Sequence, residues 1–187
     1  MKKIISVLFA LCVCLSINAQ EHMKFMGIPI DGTVDNFTLK LKAKGVTYDA
    51  EKSKTAGSGS RIFCGTFMGN EATFMVFYNV KSKMVIGVGV ELPYPSVESA
   101  HLPFVNLTES LQEKYPNATS EASKDPDGEV NGLAFNIPDK TGAKRIGTIL
   151  QTMNVSDFYP NAGCSIYLMY SDMDNFEKSE AINNEDL

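Results

Sequence analysis

Residues 61–92, RIFCGTFMGNEATFMVFYNVKSKMVIGVGVEL, decide the fold. Three β-prone runs stand in this stretch, at 61–68, 73–80 and 84–92. The short interruptions Gly69-Asn70 and Lys81-Ser82-Lys83 carry the turn residues that join neighbouring strands as hairpins. Upstream, Thr33 is placed to cap a helix whose apolar residues Val34, Phe37 and Leu41 recur at three- and four-residue spacing until Gly45 ends it. One helix followed by three antiparallel strands is therefore the unit that the first half spells out.

The same order returns 70 residues later. Phe104, Leu107 and Leu111 repeat the helical spacing, with Pro103 in the opening turn and Pro116 as the stop. Residues 61–68 map onto 131–138, and 73–80 onto 143–150. The last runs, 84–92 and 164–171, are 80 apart, so ten residues are inserted ahead of the final strand, within 153–163. A long loop in a compact domain is a usual place for function. This one holds Asn154, Asp157, Phe158, Tyr159 and Pro160. The polar stretches 55–60 and 120–129 read as loops.

One helix covers only part of a three-stranded sheet, so the halves are expected to share one sheet. The expected class is α+β: two layers, a tandem repeat of one helix plus three antiparallel strands, joined into one curved sheet. Residues 20–171 form a single domain on this reading, made of repeats at 25–93 and 94–171.

The first nineteen residues are a leader, with Lys2 and Lys3, an apolar run over 4–17, and Ala19 at the cleavage position. The apolar run is shorter than a bilayer span requires, and a lipoprotein signal at Leu11-Cys12-Val13-Cys14 is the weaker alternative, because the residue before the lipidated cysteine should be small and Val13 is not. The mature chain is thus expected in a periplasm or outside the cell, with no stable membrane span. Cleavage removes Cys12 and Cys14 and leaves Cys64 and Cys164. Two states stay open for them, a disulfide stabilised in an oxidising compartment or two buried free thiols.

The chain carries a net charge of −5, and residues 172–187 hold six acids against Lys178. The remainder of the mature chain is nearly neutral, without a basic stripe, which argues against nucleic acid as partner. The acidic tail reads as a solvated, frayed terminus.

No catalytic constellation emerges. Cys64 with His101 is a conceivable nucleophile and base, yet Cys64 lies in an alternating strand without the turn that exposes a nucleophile. Asp125-Pro126-Asp127-Gly128-Glu129 has the opening of a calcium loop, with Asp125 and Asp127 as oxygen donors. The later glutamate and exit helix are missing, and a Pro-Asp-Gly turn explains the same residues. Zinc spacing is absent, and no cofactor is implied. With no tryptophan in the chain, a sugar-stacking platform would fall to tyrosine.

The strands say more. Phe74, Val76 and Tyr78 alternate with Met75, Phe77 and Asn79; Ile166, Leu168 and Tyr170 alternate with Tyr167 and Met169. Both faces of these strands are apolar, as in strands buried on both sides or in strands displaying an interaction surface. Met75, Phe77, Tyr167 and Met169, with Phe158 and Tyr159 of the inserted loop, are the candidate binding residues. The opposing expectation is that the loop over 153–163 covers this second face.

Phe25-Met26-Gly27-Ile28-Pro29-Ile30-Asp31-Gly32 before an amphipathic helix, then Gly65-Thr66-Phe67-Met68-Gly69 and Lys81-Ser82-Lys83, resembles small secreted proteins of unknown function from Bacteroides-type bacteria. Gln20 directly after the leader agrees with that group. The helix-plus-antiparallel-sheet duplication is similar to the β-lactamase-inhibitor-protein-like fold. This resemblance implies a fold and an envelope setting and transfers no catalytic residue. The expected function is a monomeric, non-enzymatic binding module that holds a protein or cell-envelope component. The alternative is a secreted hydrolase using a carboxylate pair on an envelope or dietary polymer.

Overall fold

The computed structural model describes residues 21–124, 130–154 and 163–184. The leader, Asp125, Asp127, Phe158 and Tyr159 lie outside the described residues.

Strands β1 (Lys24–Phe25) and β2 (Ile28–Pro29) form a small hairpin of their own. Helix α1 (Val34–Lys42) follows, and the Thr33 side chain accepts from the Asn36 amide as its cap. Val34, Phe37 and Leu41 are buried, as their spacing requires. Strand β3 (Thr47–Asp49) and helix α2 (Ala50–Ala56) come next, and neither was expected. Helix α2 has no apolar stripe to signal it. Instead Asp49 accepts from the Lys52 amide at 2.9 Å, and Ser53 Oγ accepts from the Ile62 amide at 2.8 Å while donating to the Asp49 carbonyl at 2.6 Å.

Strands β4 (Ser60–Phe67), β5 (Asn70–Tyr78) and β6 (Val85–Tyr94) form the expected antiparallel meander. The first turn falls on Met68-Gly69, one residue earlier than expected. Both have positive φ, 52° and 81°, the backbone that matches a two-residue hairpin to the strand twist. Asn70 already pairs with Phe67 across it.

Helix α3 (Val97–Lys114) starts six residues before Pro103, which therefore lies inside the helix and not in its opening turn. A capping box sets the earlier start: Ser96 Oγ accepts from the Ser99 amide and Ser99 Oγ accepts from the Ser96 amide. Strands β7 (Thr119–Lys124), β8 (Val130–Pro138), β9 (Arg145–Asn154) and β10 (Cys164–Asp172) complete the sheet. Strand β7 occupies part of the stretch read as loop, because its polar side chains hide a pairing made by backbone to β8.

The main sheet is antiparallel throughout, with eight strands in the order β3-β4-β5-β6-β10-β9-β8-β7. Each half of the chain thus supplies four strands to it, not three. The last strands of the two halves, β6 and β10, lie side by side at its centre.

Most of the acidic stretch, residues 173–184, is helical. Helix α4 (Met173–Asn184) directly follows β10, with Asn175 and Ser179 buried. Asp172 caps it, accepting from the Asn175 amide at 3.0 Å through one carboxylate oxygen. The other oxygen accepts from the Met23 amide at 2.9 Å and meets His22 Nδ1 at 3.0 Å. Asn175 Nδ2 donates to the carbonyls of Ile30 and Val85, both at 2.9 Å. A helix this short is marginal by itself in water, so these bonds carry it.

The core lies on one sheet face. Phe63, Phe74, Val88, Leu168 and Tyr170 meet α1 and α3 there through Phe37, Leu41, Leu107 and Leu111. Phe25 of β1 closes one end of this core, packing against Phe67, Phe74 and Tyr170.

Candidate functional site

Strand register brings four of the candidate binding residues onto the sheet face opposite the core. Met75 and Met169 both pair with Gly89, and Phe77 with Gly87, while Tyr167 pairs with Glu91. The two glycines leave a track on β6 without side chains. Tyr167 and Met169 fold into it: a Cβ at Gly89 would collide with the Tyr167 hydroxyl, and one at Gly87 would lie 2.7 Å from Met169 Cε. Tyr167 Oη reaches Met169 Sδ at 3.7 Å. Met75 is consequently buried and Phe77, Tyr167 and Met169 are half-buried. In the next row Thr73, Glu91 and Thr152 are buried too, at 0%, 3% and 4% exposure. Two-sided apolar alternation here marks strands packed on both faces more than a displayed patch.

The two cysteines are free thiols. Cys64 pairs with Thr73 on the face opposite the core, whereas Cys164 pairs with Tyr94 and points to the core side. Strands β5 and β6 separate their strands, which sets them at least ~14 Å apart at ordinary strand spacing. A disulfide requires Cα atoms within about 7 Å, so the bridge considered from sequence does not form.

Cys64 instead sits between Lys52 Nζ at 3.7 Å and Asp49 Oδ2 at 3.6 Å. Burial pushes its thiol up, against the pull of the Lys52 ammonium. The bond from the Lys52 amide holds the Asp49 carboxyl below its ordinary range. His101 lies on α3 and shares a cavity with Cys164, not with Cys64. Burial, and next the Glu98 carboxylate, push the Cys164 thiol up. A thiol held protonated is a poor nucleophile.

That cavity is a groove of about 730 Å³ between α3 and the ends of β8, β9 and β10. Its helical wall follows from the early start of α3, since Val97, His101, Phe104 and Val105 fall on one stripe. Leu133 and Met153 form the apolar part of the floor. Gln151 fixes the spacing of wall and floor. It is fully buried on β9, where Nε2 donates to the Phe104 carbonyl at 2.8 Å and Oε1 accepts from the Thr108 hydroxyl at 3.1 Å.

At the far rim, Asn154 Nδ2 donates to Thr152 Oγ1 at 2.9 Å, and Asn131 Oδ1 is buried without a hydrogen-bond partner among the described residues. An apolar cavity of this size with a few convergent polar atoms is the ordinary form of a small-molecule site.

Of the groove, sequence reasoning singled out Cys164, His101 and the inserted stretch 153–163, which supplies Met153, Asn154 and Gly163 to the lining. Val97 and Val105 were legible in principle, because Ser96 and Ser99 spell a capping box that moves the helix start and turns 97, 101 and 105 into one face. Among the described residues, no group of three or more His, Cys, Asp or Glu is placed to hold a metal ion, and no helix is long and apolar enough to cross a membrane. Searches of protein-family models, of curated proteins and of solved structures found no match to the chain.

Proposed function

We propose that the protein is a secreted or periplasmic, non-enzymatic binding module whose ligand site is the groove between α3 and β8, β9 and β10. One observation carries the proposal: a cavity of about 730 Å³ whose walls are Val97, Phe104, Val105, Leu133 and Met153. Val97 and Val105 are 57% and 36% exposed at its mouth, an arrangement that a ligand would desolvate favourably. The half-buried face with Tyr167 and Met169 offers less apolar surface to gain.

Export rests on the leader read from Lys2, Lys3, the apolar run over 4–17 and Ala19. Glu21 pairs with Lys140 and His22 with Asp172, so residues directly after the cleavage position read from Ala19 belong to the fold. The same reading takes the halves as tandem copies of one unit, for which the mirrored strand order about β6 and β10 is the support. The hydrolase alternative would have to use a protonated Cys164 beside His101, or a carboxylate pair, of which there is none among the described lining residues.

The test uses N-phenyl-1-naphthylamine, an apolar dye that fluoresces out of water. It should saturate the mature chain at one site. Val105→Glu, a surface change, should remove the signal, whereas Tyr167→Ser with Met169→Ser should leave it. Saturable binding that survives Val105→Glu and fails in the double variant would move the site to the sheet face.

A further inference from the structure

We infer that Cys64 and Lys52 form a redox modification site, at which a hydroperoxide converts the pair into a reversible sulfenamide bond between Sγ and Nζ. Neither residue lines the groove. Lys52 Nζ donates to Cys64 Sγ at 3.7 Å, and the thiol donates to Asp49 Oδ2 at 3.6 Å. The S–H bond is thereby turned to the carboxylate, while a sulfur lone pair faces the amine. Three further bonds hold this arrangement. Asp49 caps α2 through the Lys52 amide, and Ser53 Oγ ties the next residue to the Ile62 amide and the Asp49 carbonyl. Lys52 therefore extends from a helix clamped to β4, the strand that carries Cys64. Cys64, Lys52 and Asp49 are all half-buried, so a small oxidant can reach them.

The chemistry runs in two steps. In the first, the thiol proton passes to Asp49 and the sulfur attacks a peroxide oxygen. An S–O bond forms, the O–O bond breaks, and the departing hydroxide takes the proton from Asp49 and leaves as water. Sulfur is oxidised by two electrons and the peroxide is reduced by two. In the second, the Lys52 ammonium releases a proton to solvent and its nitrogen attacks the sulfenic sulfur. An S–N bond forms, the S–O bond breaks, and the hydroxyl takes a second proton from the nitrogen and leaves as water. Sulfenic acids condense with a nitrogen held beside them, and a nucleophile fixed at contact distance has a large entropic advantage over one in solution. Burial raises the Cys64 thiol, so the first step should accelerate with pH as more of the thiol ionises. Cys164 supplies the contrast, since it is buried and its charged neighbour is the Glu98 carboxylate, not an amine.

Hydrogen peroxide treatment of the mature chain at mildly alkaline pH, followed by a tryptic digest and mass spectrometry, tests the site. In the parent, residues 45–54 and 62–81 should emerge joined and uncut after Lys52. Their mass should be the sum of the two peptides less two hydrogen atoms, with added oxygen confined to Met68 and Met75. Dithiothreitol before digestion should free both peptides. Lys52→Arg keeps the positive charge and removes the amine, so its Cys64 should pass on to sulfinic acid with no joined peptide. Cys64→Ser should leave Lys52 open to trypsin. Separate peptides from the peroxide-treated parent overturn the inference, whether Cys64 is found as thiol or as sulfinic acid. So does a joined pair that persists in Cys64→Ser.

Discussion

A polar side chain inside an apolar interface keeps its place only when every strong donor and acceptor it carries is met, and Gln151 shows how the groove depends on this. Its two bonds to α3 replace the apolar contact that a leucine would make, and they fix the helix at one height above β9. Its role was hidden in sequence, since a glutamine in a strand reads as a solvent-facing residue. Cys164 gives the residue scale a pH dependence. Burial raises its thiol above the ordinary 9.0, so the folded state holds the proton more tightly than the unfolded chain. That contribution is present in full below 9.0 and is lost as pH climbs through the folded value. Urea midpoints should therefore fall as pH passes 9.0, and Cys164→Ala should fall less than the parent. Parallel pH profiles for the two proteins would show that burial of the thiol is not linked to stability.

Elements with an apolar period were legible and elements without one were not. Helix α1 and strands β4, β5, β6 and β10 stand within a few residues of where their patterns put them. Helix α2, strand β7 and helix α4 are built largely from polar residues without an apolar period; α2 is held by the local bonds of Asp49 and Ser53, whereas β7 and α4 depend on partners farther along the chain. Helix α4 is the extreme case. Asn175 bonds carbonyls of Ile30 and Val85, and Asn79 Nδ2 donates to Ser179 Oγ at 2.8 Å. Ending the chain after Asp172 removes these bonds, and at about 1 kcal/mol each the loss should come to about 3 kcal/mol. Chemical denaturation measures it, and hydrogen exchange should rise over residues 22–30, which Asp172 and Asn175 pin. An unchanged midpoint would mean that α4 is a passenger on the fold.

At the scale of the whole molecule, the sheet decides which residues can meet. Its order puts β6 beside β10 and separates Cys64 from Cys164 by two strands and by the thickness of the sheet. The mature chain, denatured and alkylated without reductant, should therefore take up two alkyl groups, the same number as after reduction. A mass lacking both groups before reduction would require a different strand order. The same order gathers Val97, Val105, Asn131, Leu133 and Cys164 around one groove, although four of these five carried no local mark of function.

The sequence by itself determined the α+β class, the position of the first helix, the meander in the first half and its antiparallel sense. Each of these follows from a short-range period in hydrophobicity or from turn residues. Only the tertiary structure decided that residues 173–184 form a helix, that each half has a fourth strand, that the thiols stay apart and that a groove opens beside the third helix. These outcomes depend on contacts between residues far apart in the chain, and a side chain's hydrogen-bond partner has no signature in the residues on either side of it.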